Sequence, residues 1–168
     1  MAHTAERVRR LVRAIDRMAR IAVGCLIGVM VVAVFAQVVF RYAVVRPIFW
    51  ADELSRYLFV WIAFLGAGVA MGQRAHYGFD YFTGKCRPAV RRAIGLVVTL
   101  VGGGFLAVCL VLGITGTGIN LTQRSPSLQI SMAWVYAALP TGAALLLLHL
   151  LDQALNPSEA GPSVAGPE

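Results

Sequence analysis

Residues 21–40 read IAVGCLIGVMVVAVFAQVVF, with Gln37 the one strongly polar side chain in twenty positions. About 20 apolar residues wound as a helix cross a hydrocarbon layer of roughly 30 Å. In lipid no water is available to the backbone, and a helix satisfies its own N–H and C=O groups within the segment. The stretch is therefore a membrane-crossing helix. Working outward, three more apolar stretches occur at about 54–72, 93–115 and 130–151, joined by connections that are polar or contain Gly and Pro. The expected fold is all-α, an integral membrane protein with four transmembrane helices.

Composition agrees. Of 168 residues, 58% are hydrophobic and 14% charged, against about 45–50% and about 25% in ordinary soluble domains. So short a chain cannot enclose that much apolar surface in one core, so lipid must solvate much of it. The same numbers exclude a disordered chain.

Charge placement gives an orientation. The segment before the first span carries six arginines (Arg7, Arg9, Arg10, Arg13, Arg17 and Arg20), and the second connection carries five basic residues (Arg74, Lys85, Arg87, Arg91 and Arg92). The first connection has only Arg41 and Arg46, and the third only Arg124. Basic residues collect on the cytoplasmic side, so both termini are expected in the cytoplasm of a multi-pass inner-membrane protein. This distribution suits a membrane surface rather than a nucleic acid, and no nucleic-acid partner is expected.

Within residues 1–20, Val8, Leu11, Val12, Ile15 and Ala19 recur at helical spacing among the arginines. This predicts an amphipathic helix on the cytoplasmic leaflet. Its arginines can meet anionic lipid headgroups, and they equally suit a solvated topogenic leader. Val34-Phe35-Ala36 resembles a processing site, but the apolar run continues through Phe40 and spans fully, against cleavage there. Residues 152–168, with NPSEAGPSVAGPE at their end, are expected to form a disordered cytoplasmic tail.

Reactive chemistry is sparse. Three cysteines are scattered without CxxC spacing, and of three histidines only His149 lies in a span, which opposes disulfide exchange and bis-histidine haem. No GxSxG, HExxH or Walker A motif occurs. No cofactor, metal or catalytic residue is expected. The middles of the spans carry no charged side chain, whereas a self-sufficient ion-coupled transporter places ion-binding groups there.

Residues 37–80 hold the informative polar groups. Pro47 suits a helix start, and Asp52 and Glu53 sit early in that helix, where its positive dipole end favours anions. Trp50, Glu53, Arg56, Tyr57 and Trp61 share one flank at helical spacing, and Arg41 can reach Glu53 or Asp52 across the short connection. Two accounts fit equally: an aromatic belt with snorkelling charges, or a buried polar contact that fixes this subunit against itself or a partner. His76 and Asp80 have the i,i+4 spacing of a charge-assisted pair. Gly24 with Gly28, and Gly68 with Gly72, have the spacing of close-packing helix faces. Pro140 interrupts the fourth span as a helix kink and frees the carbonyl of Tyr136, which Thr141 can help satisfy.

The pattern Arg41-Tyr42, Trp50-Ala51-Asp52-Glu53-Leu54-Ser55-Arg56-Tyr57, Phe59-Val60-Trp61, Phe64-Leu65-Gly66-Ala67, then His76 and Asp80, resembles the small Q-type membrane subunit of the tripartite ATP-independent periplasmic (TRAP) transporters. Met132, Trp134, Tyr136, Ala137, Leu139, Pro140 and Gly142 resemble that family's closing pattern, so the likeness runs from about Val23 to Leu151. Asp52 departs from it, because relatives often carry Glu there.

The resemblance implies a non-catalytic permease subunit that braces a large permease subunit. The large subunit would carry the substrate and ion sites for uptake of a small carboxylate-type solute, delivered by a periplasmic substrate-binding protein. Arg41, Trp50, Asp52, Glu53, Arg56, Tyr57 and Trp61 would set subunit or structural contacts on the periplasmic side, and His76 and Asp80 near the cytoplasm. The competing class is an independent homo-oligomeric exporter or channel, with a pore lined by Gln37, Thr115, Thr117 or Asn120.

Overall fold

The computed structural model describes residues 2–45, 48–72 and 88–155. Pro47, His76, Asp80 and the tail from residue 156 lie outside the described residues. Helix α1 runs Ala2–Tyr42, α2 Phe49–Gly72, α3 Pro88–Ile119, the short α4 Ala133–Tyr136 and α5 Ala138–Leu155. Among the described residues, four stretches are long and apolar enough to cross a membrane: Ala14–Tyr42, Phe49–Gly72, Ile94–Ile119 and Ala133–Asp152.

The basic N-terminal segment is not a separate helix. It continues into the first span as one 41-residue α1, because no Gly or Pro interrupts residues 2–23. At about 1.5 Å per residue this helix is about 60 Å long, beyond the roughly 40–45 Å of a whole bilayer. At the other end, α5 reaches Leu155, beyond the expected start of the tail.

Helix α1 packs on α2, α2 on α5, and α5 on α3. The central pair is thus α2 and α5, with α1 and α3 outside. The buried apolar residues are mostly alanine (Ala33, Ala51, Ala133, Ala138 and Ala143), joined by Val69, Leu145 and Leu150. Such a core arises when helices approach through small residues, as membrane helices do without a hydrophobic force between them.

Glycines make the approach. A Cβ on Gly68 would run into the Leu145 side chain, one on Gly142 would lie 2.7 Å from the Phe64 Cβ and 2.8 Å from its carbonyl oxygen, and one on Gly113 would lie 2.7 Å from the Pro140 ring. The Gly68 and Gly72 face is therefore a packing face within the chain. Gly24 and Gly28 differ, since nothing lies within 4 Å of a Cβ on either.

The break in the fourth span falls at Ala137, between α4 and α5, and Pro140 occupies the first turn of α5, where a missing N–H costs little. The Thr141 hydroxyl donates to the carbonyls of Ala137 (2.8 Å) and Ala138 (3.0 Å) rather than to that of Tyr136.

Candidate functional site

The connection between α3 and α4 folds as a tight hairpin. Arg124 and Ser131 form an antiparallel bridge, Ser125 N–H donates to Ile130 O at 2.9 Å, and Met132 N–H donates to Gln123 O at 2.9 Å. The turn closes through Gln129 at φ 54°, in the left-handed region, with its side chain donating to Pro126 O at 3.0 Å. Ser131 Oγ donates to Leu121 O at 2.8 Å, anchoring the hairpin to the end of α3.

The hairpin turns the consecutive N–H groups of Ser127 and Leu128 toward α2. Both donate to Glu53 Oε2, at 2.7 and 3.3 Å. Adjacent backbone N–H groups converging on one oxygen make an anion-holding concavity. The other oxygen, Oε1, accepts from Tyr57 Oη at 2.6 Å, and that hydroxyl lies 3.3 Å from Met132 Sδ. Ser125 is wholly buried, with its hydroxyl beside the same carboxylate. One turn further along α2, Trp61 Nε1 donates to Trp134 O at 3.1 Å. Glu53, Tyr57 and Trp61 thus fasten α2 to the hairpin and to α4.

The remaining expected residues divide. Arg56 pairs with Asp52 at 2.5 Å rather than with Glu53, and both side chains are mostly exposed. Such an exposed pair contributes about 0–1 kcal/mol. Arg41 does not reach Asp52 or Glu53; its guanidinium lies over the ring of Tyr42, 5.9 Å from the centroid. Trp50 is exposed to almost half its extent. The hairpin N–H groups are the partners that spacing along α2 cannot disclose. The available signal was the Ser-Pro-Ser segment between two spans, which marks a turn with N–H groups in need of acceptors.

Beside this clamp lies a groove of about 550 Å³, lined by Leu54, Tyr57, Leu58 and Trp61 of α2, with Cys25 of α1 and Trp134 of α4 among its other walls. Among the described residues, no cationic side chain lines it. The Thr115 and Thr117 hydroxyls and the Asn120 amide donate to carbonyls four residues back, those of Val111, Gly113 and Gly116. They are engaged within their own helix rather than offered to a pore.

The arrangement holds a shape. Trp61→Phe is expected to keep the ring packing and lose the bond to Trp134, lowering thermal stability of the purified chain by about 0.5–1.5 kcal/mol. Thermal denaturation in detergent measures this.

Residues 30–159 match the family described as tripartite ATP-independent periplasmic transporters, DctQ component. A putative TRAP transporter small permease protein of Haemophilus influenzae is 26% identical over 89% of this chain and 92% of its own length. The C4-dicarboxylate TRAP transporter small permease protein DctQ of Rhodobacter capsulatus is 30% identical over 67% of this chain and 50% of its own length. The sialic acid TRAP transporter permease protein SiaT of Haemophilus influenzae is 28% identical over 77% of this chain, which spans only 22% of that protein. The family works beside a large permease subunit, consistent with a match confined to a small part of that longer permease. With four candidate spans, this multi-pass inner-membrane chain belongs to the DctQ-component family of TRAP transporter subunits, which are transport proteins and not enzymes.

Proposed function

We infer that the chain is a bracing subunit, which holds a large permease subunit in the bilayer while that partner moves solute and ion. One observation carries this reading. Glu53, Tyr57, Trp61, Thr115, Thr117 and Asn120 are tied into the chain's own hairpin and helices, while the apolar sides of α1 and α3 are left almost bare: the most apolar stretch of α3 has no buried residue. A moving carrier needs ion ligands near the bilayer midplane; a brace needs rigid helices and a long apolar side.

The solute is a small carboxylate, as the name of the C4-dicarboxylate relative suggests, delivered by a periplasmic substrate-binding protein and coupled to an ion gradient in the large subunit. The termini lie in the cytoplasm, which puts the Glu53 clamp on the periplasmic side. Arg17 and Arg20 of α1 then lie at the cytoplasmic surface, where a basic residue near anionic headgroups contributes about 1 kcal/mol. Single cysteines placed in the connections, with Cys25, Cys86 and Cys109 replaced, report sidedness.

Reconstitution tests the reading. Proteoliposomes holding this chain alone are expected to show no accumulation of C4-dicarboxylate or sialic acid above empty vesicles. Those holding chain, large subunit and binding protein are expected to accumulate one class. Uptake by the chain alone would overturn the bracing role in favour of an independent carrier.

A further inference from the structure

At the end of the molecule opposite the clamp, three helices meet on two polar side chains. Asp16 of α1 and His149 of α5 face each other with Oδ1 and Nε2 3.9 Å apart. The His149 side chain is 6% exposed and that of Asp16 16% exposed. Both facing atoms are buried, and neither has a hydrogen-bond partner among the described residues. The other carboxylate oxygen of Asp16 accepts from Arg20 at 2.5 Å on the exposed side of α1. That ion pair fixes the carboxylate's direction and leaves Oδ1 aimed inward.

Helices α1 and α5 are not packed along their length; α2 stands between them. The two side chains meet because α2 ends there in Gly72. A Cβ on Gly72 would lie 2.7 Å from His149 Cε1, 2.8 Å from Nε2 and 2.9 Å from Asp16 Oδ1. The missing side chain is thus the window through which carboxylate and imidazole see each other. Among the described residues, the charged groups at this end besides Asp16 and Arg20 are Arg17 on α1 and Asp152 on α5, while α3 meets α5 through Gly103 against Leu150. Among the described residues, no group of three potential metal ligands comes together here.

We propose that Asp16 and His149 form a buried interhelical lock, closed through the Gly72 window, that fixes the N-terminal third of α1 to α2 and α5. Burial of two polar atoms without partners is costly, and closing 3.9 Å to hydrogen-bond distance needs only a small rotation of either side chain. The lock accounts for a continuous α1: residues 2–15 extend a helix whose register is pinned at Asp16. They are held as a stiff arm, not left as a free leader. Asp16 and His149 are positioning residues.

Hydrogen exchange on the full chain in nanodiscs tests this. Asp16→Asn and His149→Gln, which nearly preserve size, are each expected to speed amide exchange over residues 2–20 about tenfold, and the double variant no more than either single one. Gly72→Ala is expected to act alike, and exchanging the pair (Asp16→His with His149→Asp) to restore protection at least in part. In ¹⁵N-labelled protein, Asp16→Asn is expected to shift the His149 ring resonances. Unchanged exchange in the single variants, additive effects, or ring resonances indifferent to Asp16 would each overturn the lock. Should His149→Gln fail to fold, the Asp16→Asn and ring-resonance measurements still decide.

Discussion

Glu53→Ala is expected to release the hairpin at residues 120–132 and expose it to protease. Three donors lose their acceptor at once: the N–H groups of Ser127 and Leu128, and the hydroxyl of Tyr57. Bonds to a charged acceptor are stronger than neutral ones, and donors left bare weigh further against the closed form. Trypsin cleavage after Arg124, followed by mass spectrometry of the fragments, is expected to quicken on the order of tenfold to a hundredfold, because proteolysis tracks the open population. Asp52→Ala provides the contrast. It removes only the exposed pair with Arg56 and is expected to change the same rate by less than about twofold. Equal effects of the two substitutions would show that neighbouring carboxylates on α2 act as generic boundary charges.

The second large effect concerns Gly142. An added Cβ would sit 2.7–3.0 Å from Phe64, and two of its three nearest atoms are backbone. Backbone cannot turn aside as a flexible side chain can, so α2 and α5 must separate. Gly142→Ala is expected to lower stability by about 1–3 kcal/mol through overpacking. Gly24→Ala and Gly28→Ala meet nothing within 4 Å, so they are expected to leave stability unchanged or raise it by up to about 1 kcal/mol each, the usual preference of a helix interior for Ala over Gly. Thermal unfolding of the purified chain separates the cases. Any loss of partner binding in the Gly24 and Gly28 variants without loss of stability would mark that face of α1 as a contact with the large subunit.

The spans were legible because twenty-residue apolar runs admit one explanation in lipid. Hydropathy alone would begin the second span at about 54, but α2 starts at Phe49, close to the helix start that Pro47 suggests, because aromatic and charged residues continue the helix into the interface. On α2 the Glu53–Tyr57 contact follows from spacing, but Arg56 chooses Asp52 at i−4 over Glu53 at i−3, a choice made by rotamer direction. The hairpin's claim on Glu53 crosses more than seventy residues of sequence, and no periodicity reports such a contact. The Asp16–His149 contact was hidden for the same reason: a carboxylate in a basic segment and a lone histidine in an apolar span are each ordinary, and only the Gly72 window joins them.

Glycine spacing illustrates both outcomes. The pairs Gly24/Gly28 and Gly68/Gly72 are indistinguishable as sequence. The second pair is filled by Leu145 and His149 of α5, while the first faces open space. An outer helix whose small-residue face points away from its neighbour differs from a central one only once the helix order is known.

The bracing role is tested most directly by co-expressing the tagged chain with its large permease subunit, extracting in mild detergent and weighing the complex by native mass spectrometry. The account predicts one stable complex containing both subunits, retained through size-exclusion chromatography. A chain that elutes by itself or as a homo-oligomer, with the large subunit in a separate peak, would contradict it.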